Sequence, residues 1–272
     1  MRQTLKKITP RPLWALAREA YLSARRSPEA HEAASHPWRR DSVARLTDLK
    51  DKYRGQRAFI IGNGPSLNKT NLTKLKDEFT FGLNRIYLMF PALGFSTSCL
   101  VSVNDLVIEQ CLPELDALPI PRFLSWRSHR FFKPSSEISF LPIFLYTTYE
   151  SPRFARDARG RLWEGATVTY VALQLAFHMG FQQVIVIGVD HNSAVKGKAN
   201  TTVVSKGDDP NHFSPKYFGK GFRWQLPDFN TSEIGYSLAR DVYRQAGREV
   251  LDATIGGELT IFRKVDYNSL FK

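Results

Sequence analysis

The chain has 272 residues, 43% of them hydrophobic, and 2 cysteines, so it can bury a large core without disulfides or metals as staples. Its formal net charge of +12 favours an anionic partner such as a nucleotide, a phospholipid surface or an acidic sugar. No apolar run reaches the roughly 18 residues a bilayer-spanning helix needs, and the amino terminus lacks a signal-like apolar core; the expectation is a cytoplasmic protein with Cys99 and Cys111 as core thiols.

From Pro12 to Arg26 the residues Leu13, Trp14, Leu16, Ala17, Ala20, Tyr21 and Ala24 form a helical apolar stripe opposed by arginines. Such a helix can pack on the domain or a partner, or lie on an anionic membrane at the inner face of the cell. The stretch from about Ser27 to Asp41 reads as a linker. The division is a basic extension over 1–48 and a nucleotide-binding domain over 49–272.

Arg57 to Ile61 reads as a buried parallel strand. It ends in Gly62-Asn63-Gly64-Pro65-Ser66, with a short helix expected over Leu67 to Leu75. Further strands are predicted at Phe79–Leu83, Ser98–Val103, Arg122–Ser125, Ile143–Tyr146, Val184–Ile187 and Glu249–Asp252. Helices are expected over Asp105–Leu115, from Thr167 to the cap glycine Gly180, and over Thr231–Ala246 with Ile234, Leu238 and Val242 aligned. The polar stretch from His191 to Phe229 is too long for an ordinary connection and reads as a lid-like loop. Alternating strands and helices give a Rossmann-like α/β domain, its sheet mostly parallel with helices on both faces.

The glycine turn offers consecutive N–H groups at a helix start, suited to phosphate; the alternative is a tight turn needing glycine for shape alone. Asn84, Asn104 and Asp190 each follow a strand, where ligands of open α/β sheets bind, although asparagines are also common turn formers. His31, His36 and His178 read as structural, and His129 as part of a basic face. His212, in the long loop, is the preferred general base, against a loop histidine bonded only for order. Lys216, Lys220, Arg223 and Trp224 either close over an acidic donor or form a solvated surface. No nucleic-acid-reading motif accompanies them, so no nucleic-acid partner is expected.

Phe59 through Leu67, then Gly82-Leu83-Asn84, then Thr167 through Gly188-Val189-Asp190 resemble the MptE-like domain family and the related bacterial sialyltransferases of glycosyltransferase family 42. The resemblance implies that Asn63, Gly64, Ser66, Asn84 and Asn104 hold CMP. It further implies that Gly165-Ala166-Thr167 wraps the donor, that His212 is the base of an inverting, metal-independent transfer, and that Tyr217 assists the phosphate. The implied partners are a CMP-activated acidic sugar and a glycan or glycolipid acceptor, as in polysaccharide biosynthesis. Archaeal-type relatives are 6-hydroxymethyldihydropterin diphosphokinases; in that alternative Asp190 and Asp105 hold magnesium for ATP. A noncatalytic membrane-associated scaffold is the third reading, and homo-oligomerisation stays open.

Overall fold

The computed structural model describes residues 28–133, 142–149 and 151–271, together with 17, 20, 21 and 24. Most of the expected helix over Pro12–Arg26 therefore lies outside the described residues. Among the described residues no helix is long and apolar enough to cross a membrane.

Among the described residues eleven strands are present: β1 (Arg57–Ile61), β2 (Phe79–Leu83), β3 (Cys99–Ser102), β4 (Arg122–Ser125), β5 (Ile143–Thr148), β6 (Arg161–Trp163), β7 (Gln183–Ile187), β8 (Thr202–Val204), β9 (Arg223–Gln225), β10 (Glu249–Asp252) and β11 (Arg263–Lys264). Nine of them make one sheet in the order β11-β10-β7-β1-β2-β3-β4-β5-β6, and every pairing in it is parallel. From β1 the chain builds outward through β2 to β6, then returns to place β7 on the other side of β1. The crevice between the carboxyl ends of β1 and β7 is the switch point at which such sheets receive ligands.

Alternate residues of each strand feed opposite faces. Ala58 and Ile60 join one buried cluster, Phe59 and Ile61 the other, as a sheet covered on both sides requires. The first face is covered by α5 (Val168–His178) and α6 (Phe229–Gln245). The second is covered by short pieces, including α2 (Phe90–Leu93), α3 (Asp105–Gln110), α4 (Leu112–Asp116) and the 3₁₀ turns Pro65–Lys69 and Leu72–Leu75. The helix expected over Leu67–Leu75 is thus two 3₁₀ turns. The one expected over Asp105–Leu115 breaks at Cys111, because Pro113 cannot donate to the turn before it.

The stretch read as a linker is helical. Residues 28–35 are helix, and α1 (Pro37–Leu49) follows. The Ser42 hydroxyl accepts from the Phe144 N–H of β5 (2.9 Å), and Leu46 is fully buried, so α1 packs on the sheet and the division expected at residue 48 falls inside it. His178 bonds the Leu46 carbonyl through Nε2 (2.7 Å), which makes it structural as expected.

One helix is buried all round, and another differs from its expected face. Ten of the eleven residues of α5 are buried, because it lies between the sheet and α6, so it has no solvent face. In α6 the inward face is Ser232, Gly235, Tyr236, Ala239 and Tyr243, while Ile234 is 55% exposed. Close approach to α5 explains the choice: a Cβ on Gly235 would lie 3.3 Å from the Tyr170 ring, and the Tyr243 hydroxyl donates to the Leu173 carbonyl (2.7 Å).

Candidate active site

At the switch point the turn ending β1 and the turn ending β7 pack against each other at backbone distance. The Gly62 N–H donates to the Ile187 carbonyl (2.8 Å) and the Gly64 N–H to the Gly188 carbonyl (2.9 Å). A Cβ on Gly62 would stand 2.3 Å from the Gly188 carbonyl oxygen, and one on Gly64 1.8 Å from Asp190 Oδ2. Asp190 closes the turn by accepting from the Ser66 N–H (3.1 Å) and hydroxyl (2.6 Å). Pro65 has no N–H to give. The Gly62, Gly64 and Ser66 N–H groups expected to cradle phosphate are therefore spent on the protein, and a carboxylate occupies the mouth of the turn. Here the glycines serve shape.

The turn also has a second task. The Asn63 carbonyl accepts from the Phe213 N–H (2.9 Å), and Asn68 Nδ2 donates to the Phe213 carbonyl (2.9 Å). The long loop is thus pinned to the end of β1 at the residue beside His212. It is braced internally by the antiparallel pair β8–β9 and docked by Gln110, which bonds both the N–H and the carbonyl of Arg223 (2.8 Å each). Phe213, Tyr217 and Phe218 are buried beneath it. The segment is a fastened cover with its own core.

His212 sits at the seam of two adjoining cavities, of about 310 Å³ and 210 Å³, and lines both. Its ring stacks on Tyr217 at 3.9 Å between centroids. Its Nδ1 lies 2.7 Å from Asp209 Oδ2. The Asp209 side chain is 4% exposed and also accepts from the Asn211 N–H (2.8 Å) and the Phe218 N–H (3.2 Å). A carboxylate so placed only accepts, so Nδ1 carries a proton, and in the neutral tautomer the lone pair is on Nε2. The sequence reading missed Asp209; the spacing Asp209-x-x-His212 in a loop was the available signal.

Tyr217, assigned by resemblance to the phosphate, is fully buried. Its hydroxyl accepts from the Arg85 N–H (3.3 Å) and its carbonyl from the Arg85 guanidinium. It supports His212 from below and does not line either cavity. The tyrosines that do are Tyr149 and Tyr236, whose hydroxyl lies 3.3 Å from Thr167 Oγ1.

The remaining expected residues converge. Asn84, with φ of +45°, orients its Oδ1 by accepting from Ser102 (3.0 Å). Asn104 caps α3 through the Leu106 and Val107 N–H groups and reaches Gln225 of β9 (3.2 Å). Both line the larger cavity, with Ala166 and Thr167; Gly62, Asn63, Gly64, Ala166, Thr167 and Asp190 line the smaller. Thr167 caps α5, and Ala166 has φ of +58°, so the Gly165–Thr167 turn brings backbone to the cavity wall. Two wall atoms are buried without a hydrogen-bond partner, the acceptor Asn63 Oδ1 and the donor Asn211 Nδ2. Leaving such groups unmet costs on the order of 1–3 kcal/mol each, which a ligand can recover.

The charged groups expected over an acidic donor are elsewhere. Lys216, Lys220 and Arg223 are exposed, and Arg223 pairs with Glu109 (3.3 Å); only Trp224 of that set lines the cavity. Among the described residues no lysine or arginine lines either cavity. Arg127 lies behind the wall, bonded to Asp105 and Glu164. Burial pushes the Glu164 carboxyl above its ordinary value, against the pull of Arg127. Of the two carboxylates expected to hold magnesium, Asp105 serves Arg127 and Asp190 serves Ser66. Among the described residues no three His, Cys, Asp or Glu side chains cluster as metal ligands. Of the other histidines, His129 stacks on Trp126 at 4.0 Å, and His191, which also lines the smaller cavity, bonds Glu233 (2.9 Å).

No protein-family model matches the chain, and no curated protein matches it significantly. Among solved structures the MAf glycosyltransferase from Magnetospirillum magneticum AMB-1 is similar over 85% of this chain, at 15% identity and a TM-score of 0.48. The similarity covers 39% of that protein, so this chain spans well under half of its length.

Proposed function

We propose that the protein is a glycosyltransferase that moves an acidic sugar from a CMP-activated donor to a hydroxyl of a glycan or glycolipid. The observation that carries this reading is the Asp209–His212 pair at the seam of the two cavities. A neutral imidazole with Nδ1–H held by a buried carboxylate presents Nε2 as a base to whatever enters. In the proposed step Nε2 takes the proton of the acceptor hydroxyl as its oxygen bonds the anomeric carbon. The bond from that carbon to the phosphate oxygen breaks and CMP leaves with the electron pair. Asp209 then faces the imidazolium that has formed.

Nucleotide binding is supported by the switch-point location and by the unmet pair Asn63 Oδ1 and Asn211 Nδ2, which suit the amino and carbonyl edge or the hydroxyls of a nucleoside. With no cation in the wall, the phosphate charge would be met by amide and hydroxyl donors such as Asn84, Thr167 and Tyr149, in the manner of preorganised dipoles. The diphosphokinase alternative needs two carboxylates on one metal, and Asp190 and Asp105 are engaged separately.

Calorimetric titration with CMP in EDTA tests the reading, against ATP with magnesium. CMP binding without metal, retained in His212→Ala while transfer is lost, is the expected result. Binding of ATP with magnesium alone, or of neither nucleotide, would overturn it.

A further inference from the structure

A separate cavity of about 470 Å³ opens between residues 28–35, α1 and the β5–β6 edge of the sheet. Arg39, Arg40, Arg159 and Arg161 line it, and among the described residues no acidic side chain does. Ala33 and Ala34 on the helical segment are too short to fill the space.

Arg39 is 6% exposed. Its Nη2 donates to the carbonyls of Arg159 (2.5 Å) and Gly160 (3.4 Å), both of which line the cavity, so the guanidinium stands in the cavity wall. Its Nη1 is buried with no hydrogen-bond partner. Burial lowers the Arg39 pKa from its ordinary value. Arg159 is already held by Asp157 (2.6 Å), while Arg40 is exposed beside the opening.

A buried guanidinium that keeps its charge without a counter-ion is costly unless an anion completes it. We propose that this pocket binds a phosphate group, carried by a small soluble anion or by a lipid headgroup. Nη1 of Arg39 offers a charged donor to a phosphate oxygen, Arg40 adds a second cation at the mouth, and the cavity is large enough for a phosphate group. Tyr146 lines this pocket and Tyr149 the catalytic cleft, three residues along the same strand direction and so about 10 Å apart at the usual rise. The proposal is independent of the chemistry assigned to the cleft.

The test is calorimetric titration of the full chain with inorganic phosphate and pyrophosphate, and co-sedimentation with phosphatidylglycerol against phosphatidylcholine vesicles. Each is repeated on Arg40→Glu and Arg39→Gln, with His212→Ala as a control for binding in the cleft. Phosphate affinity is expected to fall about tenfold or more in both arginine variants and to persist in His212→Ala. Loss confined to the soluble anions assigns a small ligand; loss of phosphatidylglycerol binding in Arg40→Glu assigns a headgroup. If Arg39→Gln fails to fold, the exposed Arg40→Glu still decides. Unchanged binding of every probe by Arg40→Glu, or no binding by the unmodified chain, overturns the proposal.

Discussion

The Phe213 N–H donates to the Asn63 carbonyl over 2.9 Å, so the residue next to His212 hangs on the turn that ends the central strand. The glycine turn thereby acts as a mount: Gly62 and Gly64 let the β1 and β7 ends touch, Asp190 locks Ser66, and the carbonyl of Asn63 holds the loop that carries His212. A site built this way positions its imidazole through main-chain contacts between the loop and the end of the central strand.

Asp209→Asn separates orientation from mere presence of a loop acid. The amide can present N–H to Nδ1, which moves the imidazole proton to Nε2 and removes the base. Under the proposed transfer, turnover should fall by roughly 10²–10⁴-fold with CMP affinity nearly unchanged; parallel turnover and calorimetry check it, and full turnover would remove the pair from the mechanism.

Gly64→Ala puts a methyl 1.8 Å from Asp190 Oδ2, where backbone and carboxylate are both held. Overpacking of this kind costs about 1–3 kcal/mol, and it should also displace the His212 loop. Urea denaturation combined with hydrogen exchange at the Phe213 amide reads both effects together.

The two faces of α6 make opposite predictions. Ile234→Lys, at a position 55% exposed, should change stability by no more than about 0.5 kcal/mol. Ala239→Leu, fully buried against α5, should cost about 1–3 kcal/mol. Thermal melts of the two variants suffice, and an Ile234→Lys variant that unfolds would restore the stripe drawn from periodicity.

Burial holds His178 below its ordinary 6.5, with the Leu46 carbonyl and Asp157 opposing in part. In the unfolded chain it takes its proton near that ordinary value, so between there and the lowered native value the unfolded state binds more protons. The contribution of His178 to stability is therefore complete above about pH 6.5, declines as pH falls below it, and levels off once the native histidine is also protonated. Urea midpoints from pH 8 to pH 5 should show this decline, and His178→Gln should flatten it.

Several features of this protein are written locally. Arg57–Ile61, Phe79–Leu83, Arg122–Ser125 and Glu249–Asp252 are strands at the predicted residues, because short apolar runs bounded by glycine, asparagine and proline have few other uses in a chain with this core. Thr167 and Gly180 bound α5 for reasons of capping and left-handed backbone, the latter at φ of +96°. Asn63, Asn84 and Asn104 each follow a parallel strand, and such a sheet brings its carboxyl ends to one edge; that His212 joins them was decided by the path of the long loop. What only the tertiary structure decided is which atoms are left over. The turn looks like an anion cradle until Gly188 and Asp190, more than a hundred residues away, take its N–H groups. Tyr217 looks like a ligand contact until the loop folds it under His212, and Arg39 looks like surface charge in a linker until α1 carries it into the sheet edge. Hydrogen-bond partners and burial belong to pairs of segments distant in the chain, and no local pattern of residues contains them.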